Sequence, residues 1–151
     1  MAAGTVTRLG FGKTDVVQML NGCIGGLVAI TAEPLMPSPL AAILIGAVGG
    51  VIVVYGTKLL FSLKIDDVVG AIPAHLFAGI WGTLAVPITN PDTAFGTQLI
   101  GVLSINIFVF VAALIVWSIM KATVGIRLSK EGETKGTDVT ETGVIAYAIR
   151  D

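Results

Sequence analysis

Within the apolar stretches of this sequence, one side chain can gain or lose a proton near neutral pH: His75, the only histidine in the chain. It lies eight residues past Asp67, at the end of the charged run Lys64-Ile65-Asp66-Asp67. An imidazolium is costly in hydrocarbon, so the ring is expected uncharged there, one nitrogen donating and the other accepting, or sharing a proton with a second ring. Such a group can line a path for a small neutral polar molecule, or hand on a proton, without presenting a fixed charge. The bland alternative is a buried histidine tied to a backbone carbonyl. Pro73, two residues earlier, deletes one backbone hydrogen bond and should bare a carbonyl one turn before it, near Val69. A kinked helix beside an ionisable residue suits a transport site, and also occurs for packing alone.

The remaining polar residues in apolar surroundings are Gln18, Asn21, Thr57, Thr83, Ser104 and Asn106. Neighbouring backbone or one another can satisfy them, so they read as interhelical hydrogen bonds. No cofactor is expected, because a metal or haem site needs more than one strong ligand and there is no second histidine. The lone Cys23 cannot form an internal disulfide and reads as a small packing residue.

The elements that must position His75 follow from hydropathy. The chain of 151 residues is 54% hydrophobic and only 13% charged, with a mean hydropathy of +0.92. A water-soluble domain carries charge on roughly a quarter of its residues, so this composition points to an all-α integral membrane protein. The charges are segregated: from Lys121 onward the chain is rich in them, and before that they sit at segment edges. A net charge of −1 without a basic patch gives no reason to expect nucleic acid as a partner.

Four apolar segments stand out, near residues 16–32, 40–63, 68–88 and 98–120, preceded by an N-terminal segment 1–15 and followed by a tail 121–151. The breaks between them are chemical. Pro34, Pro37 and Pro39 cannot stay helical together. Asp66 and Asp67 suit the positive end of the helix that follows them, and Asn90-Pro91-Asp92 is a turn. All nine Lys and Arg fall on one side of a four-span arrangement: Arg8 and Lys13 before the first span, Lys58 and Lys64 flanking the middle turn, and the others after the last span. Positive residues stay inside, so both termini and the middle turn are expected in the cytoplasm. Gly22 and Gly26, Gly46 and Gly50, and Gly79 and Gly82 are spaced for close helix approach in lipid, where apolar burial gives helices no drive to associate.

Several of these stretches, in this order and spacing, resemble the ammonium transporter family (Amt/Mep/Rh) in its Amt branch. They are Asn21-Gly22-Cys23-Ile24-Gly25-Gly26-Leu27-Val28-Ala29-Ile30-Thr31, Ile43-Leu44-Ile45-Gly46-Ala47-Val48-Gly49-Gly50, Asp66-Asp67 followed by His75 and Gly79-Ile80-Trp81-Gly82, and Thr123-Val124-Gly125-Ile126-Arg127. The tail adds Gly136-Thr137-Asp138-Val139, Gly143 and Ala146-Tyr147. The resemblance implies an eleven-helix fold assembled as a trimer in the cell membrane, of which these four spans are the last four. It implies that His75, with Ala71 beside it, lines a narrow hydrophobic pore, with Pro73 as a helix kink, and that ammonium is deprotonated and crosses as ammonia. His75 falls where the family has the second of its two pore histidines, and the first lies on helices outside this sequence, so the resemblance implies a fragment that does not conduct alone. Gly136, Asp138 and Tyr147 would belong to a cytoplasmic surface that couples subunits and can meet a PII-type signalling protein. Where family members often carry glycines after this histidine, Leu76 and Phe77 stand here. Two other classes compete: a small homo-oligomeric transporter, and a four-helix membrane subunit whose histidine is structural. No enzymatic activity is expected.

Overall fold

A computed structural model describes residues 1–145. They form α1 (Ala2–Phe11), α2 (Val16–Ile30), α3 (Pro39–Ser62), a π-helical turn (Ile72–Phe77) that runs straight into α4 (Ala78–Thr89), α5 (Phe95–Thr123), α6 (Lys130–Lys135) and a second π-helical turn (Asp138–Thr142). The chain divides into two compact units, Met1–Asn106 and Ile107–Asp151, with the boundary falling within α5.

Capping residues set the helix limits. The Asp15 side chain accepts from the Gln18 backbone N–H at 3.0 Å and starts α2. Asp15 is itself anchored, because its N–H donates to the buried Thr7 hydroxyl of α1 at 3.2 Å. At the other end of α2, Thr31 terminates the helix ahead of the proline run. Ser38 caps α3, with Pro39 preset at its first position. The observed span 39–62 therefore lies within one residue of the expected 40–63 at each end.

The other helices depart further from the expected segments, and α5 (Phe95–Thr123) extends three residues beyond 98–120 at each end. By length and composition, Pro39–Ser62, Ile72–Thr89 and Phe95–Thr123 can cross a membrane, whereas Val16–Ile30 is shorter. Its 15 residues reach only about 22 Å of a core about 30 Å thick at ~1.5 Å per residue. The third segment begins at Ile72, not at residue 68, because the chain turns through Val68, Val69 and Gly70 before entering the helix. Asp67 caps that later start, accepting from the N–H groups of Ala71 and Ile72 at 2.9 Å each. Pro73 consequently stands in the first turn, where a missing N–H costs little, and not in mid-span. The proline that does lie inside a helix is Pro87, in α4.

Glycine contacts hold the first unit together. A Cβ on Gly26 would sit 3.1 Å from the Gly46 carbonyl oxygen, and one on Gly49 would sit 2.7 Å from that of Gly25. Thus α2 and α3 touch backbone to backbone, where the spacing of Gly22, Gly26, Gly46 and Gly50 led us to expect it. Gly82 does the same for α4 on α2: a Cβ there would lie 2.4 Å from the Ala29 carbonyl oxygen. Ala29, Ile45 and Ala85 form the small buried cluster at this crossing, with Ile30 and Trp81 packed on it. Trp81 also donates its indole N–H to the Ile45 carbonyl at 3.0 Å. Cys23 is exposed rather than packed inside.

In the second unit, the Ser129 hydroxyl caps α6 by accepting from Gly132 N–H at 3.1 Å. Thr140 folds the following turn back, its hydroxyl donating to the Gly132 carbonyl at 3.2 Å. Arg127 pairs with Glu133 through two hydrogen bonds, that from Nη2 to Oε2 measuring 3.2 Å.

Candidate functional site

His75 is the fourth residue of the π-helical turn Ile72–Phe77. Such a turn widens the helix by about one residue and is frequent at functional sites. Its backbone bonds reach one residue further than in an α-helix, as in the Ala78 N–H donated to the Pro73 carbonyl. The inner side of this turn is fixed by packing. Pro73 and Ala74 are buried, and Pro73 and Phe77 lie against Gly56 of α3, where a Cβ would come within 3.1 Å and 2.6 Å of them respectively. This buried side turns His75 to the opposite face, where it is exposed.

On that face the histidine lines a cleft of 320 Å³. Leu76, Gly79, Ile80 and Thr83 continue its wall on the same helix, and Gln98, Gly101, Val102, Ile105 and Asn106 of α5 form the facing wall, all within the first unit. The walls are largely apolar. Asn106 satisfies itself by donating to the Val102 carbonyl at 2.7 Å. His75 makes no hydrogen bond among the described residues, so both ring nitrogens are uncommitted. A histidine serving only as a packed, carbonyl-bonded core residue would look different.

The other expected residues are placed as follows. Ala71 opens the helix with its N–H on Asp67, and it is not among the residues lining the cleft beside His75. Pro73 stands in the first turn, so the Val69 carbonyl precedes the helix and is not one that the proline bares; it accepts from the Asn21 side-chain amide at 2.8 Å. Gln18 and Thr57 bond to each other at 3.3 Å. By residue type these polar residues read as interhelical hydrogen bonds, and nothing singles out Asn21, whose partner no spacing identifies.

In the tail, Gly136 ends α6 with φ 103°, a conformation that side-chain-bearing residues rarely adopt. Asp138 follows at once, and a Cβ on Gly136 would lie 2.6 Å from Asp138 Oδ1. Tyr147 lies outside the described residues. The hydrogen bond from Arg127, with its charge, holds the Glu133 carboxyl below its ordinary range, and the same bond raises the Arg127 guanidinium further.

Apolar helices of spanning length, joined by backbone-close glycine crossings and carrying one uncommitted imidazole on a cleft, define an all-helical, multi-pass membrane protein. The model of the Ammonium Transporter Family matches residues 1–147. The chain belongs to that family, which is one of transporters and not of enzymes. It is 37% identical to ammonium transporter Amt2 of Archaeoglobus fulgidus, over 97% of this chain and 36% of that protein. It is 36% identical to ammonium transporter Amt1 of Haloferax mediterranei, over 97% of this chain and 30% of that protein. The chain thus spans about a third of the length of the curated relatives it matches.

Proposed function

We propose that this chain forms one wall of the conduction path of an ammonium transporter, being the four-helix part that carries one of two histidines in an eleven-helix fold. The observation that carries the reading is His75: the sole histidine, without a hydrogen bond among the described residues, on a largely apolar cleft of 320 Å³. Ammonium arriving at such a path releases its proton, and the ammonia that remains, small and neutral, crosses the apolar section at far lower cost than the cation would. The imidazole, offering a donor and an acceptor, holds ammonia in file and shares a proton with a partner ring from helices outside this sequence.

The positive-inside pattern supports cytoplasmic placement of both termini and of the turn bearing Lys64, in a cell membrane. Assembly as a homotrimer and contact of the tail around Gly136, Asp138 and Tyr147 with neighbouring subunits or a PII-type protein belong to the same reading. A structural-histidine subunit gains no support from an imidazole without a hydrogen bond among the described residues.

The test is uptake of labelled methylammonium by cells expressing the complete transporter that contains this chain. His75→Ala should lower uptake at least about tenfold or abolish its selectivity against potassium. Unchanged rate and selectivity would overturn the proposal.

A further inference from the structure

We propose that Asn21 is a positioning residue for His75: from α2 its side-chain amide holds the Val69 carbonyl, and thereby fixes the turn from which the histidine-bearing helix departs. The significance of this for conduction rests on the reading of His75 given above; the hold on the turn does not.

The Val69 carbonyl lies ahead of the helix, in the turn that Gly70 bends with its positive φ. Asn21, 48 residues away in sequence, donates to it at 2.8 Å. Because the partner is a carbonyl oxygen, the amide must present its nitrogen, which fixes its orientation. The turn is shaped to admit it. Gly70 has φ 75°, and a Cβ there would lie 2.4 Å from Asn21 Nδ2, so any side chain at residue 70 would be both strained and in collision with the amide. On the other flank Asp67 takes the N–H groups of Ala71 and Ile72. The Ala74 N–H reaches the Gly70 carbonyl at 3.2 Å and closes the turn.

One side chain therefore collects the free N–H groups at the start of this helix, and a second, from α2, holds the carbonyl ahead of it. Among the described residues the imidazole has no hydrogen bond of its own to aim it. Its direction is that of the backbone between Ile72 and Phe77, and this backbone starts from the turn that Asn21 holds.

The experiment uses the full chain in lipid nanodiscs with nitrogen-15 in histidine, where a single histidine gives one imidazole spectrum. Asn21→Leu keeps the volume and removes the donor. It should shift and split the His75 ring signals and speed amide exchange over residues 70–77 by about tenfold, the size of a lost hydrogen bond of ~1.4 kcal/mol. Thr57→Val, which removes the bond between Gln18 of α2 and Thr57 of α3, should leave both readouts as in the wild type. If Asn21→Leu does not fold, Asn21→Asp reads the same tie: exchange fast at neutral pH, where a carboxylate faces the carbonyl, and restored toward wild type at low pH, where the protonated acid can donate. Wild-type ring signals and wild-type exchange in the folded variant would overturn the positioning role. In the complete transporter, Asn21→Leu should reduce maximal methylammonium uptake about tenfold with half-saturation unchanged. If the ring signals move while uptake is normal in both Asn21→Leu and His75→Ala, the conduction-wall reading of His75 falls and the hold of Asn21 on the turn stands.

Discussion

α3 and α5 are both long, apolar and almost uncharged, yet they end in opposite surroundings. About a third of the most apolar stretch of α3 is buried, against 6% of that of α5. Hydropathy does not separate them, since α5 is the more apolar of the two. Glycine register does. Gly46 and Gly49 of α3 meet the backbone of α2, and Gly56 meets Pro73 and Phe77, while Gly96 and Gly101 of α5 have nothing within 4 Å. In lipid an apolar side chain gains nothing by leaving its solvent, so helix contact must come from backbone approach, dispersion and interhelical hydrogen bonds. α3 has all three, including the Ile45 carbonyl bonded by Trp81. Val102 is the one residue of α5 that is buried.

The largest effect that could break this contrast is at Gly82, where a methyl group would be driven to 2.4 Å from the Ala29 carbonyl, backbone against backbone. Gly82→Ala should destabilise the first unit by about 2–3 kcal/mol, as overpacking does. The matched change in α5, Gly101→Ala, should be neutral or stabilising by up to about 1 kcal/mol, because only helix propensity changes. Unfolding in mixed micelles measures both, and equal effects at the two sites would erase the distinction. Of intermediate size, Trp81→Phe removes the donor to Ile45 while keeping most of the ring, and should cost about 0.6–1.5 kcal/mol in the same assay.

The smallest effect lies outside the apolar helices, in the second unit. Arg127 holds Glu133 below the ordinary carboxylate value, so the pair's contribution is complete above about pH 4.3, where a free glutamate is ionised, and is lost as pH falls through the lowered value. Both side chains are exposed, at 81% and 39%, so the gain in stability is slight. The carbon-13 titration of Glu133 should have its midpoint below the ordinary glutamate value and return to it in Arg127→Ala. A midpoint indifferent to Arg127 would refute the pairing.

What could be read in advance were features carried by residue type: apolar lengths, proline breaks, glycine spacing, and the loneliness of His75. The proline run places the start of α3 to within one residue, although Pro39 is not part of the break, as expected, but the first helical residue, with Ser38 its cap. The start of the next helix was misplaced because Asp67 was taken to cap the chain immediately after it. Its carboxylate instead reaches forward to Ala71 and Ile72 across a glycine turn, and no local propensity encodes that. The Asn21–Val69 bond was not legible, because its donor sits on α2 and sequence without tertiary structure does not link residues 21 and 69. The wide turn around His75 was likewise invisible, because a π-helix has no composition of its own.

That wide turn has a consequence for anyone drawing a helical wheel through this segment. An even step of 3.6 residues per turn stacks Ala71 directly behind His75, but the path between Ile72 and Phe77 contains about one residue too many. The angular clock slips there, and Ala71 does not share the azimuth that α4 would assign it. A substitution scan along residues 71–89 should accordingly yield one regular wave of sensitivity over Ala78–Thr89, with the residues up to the imidazole out of phase with it.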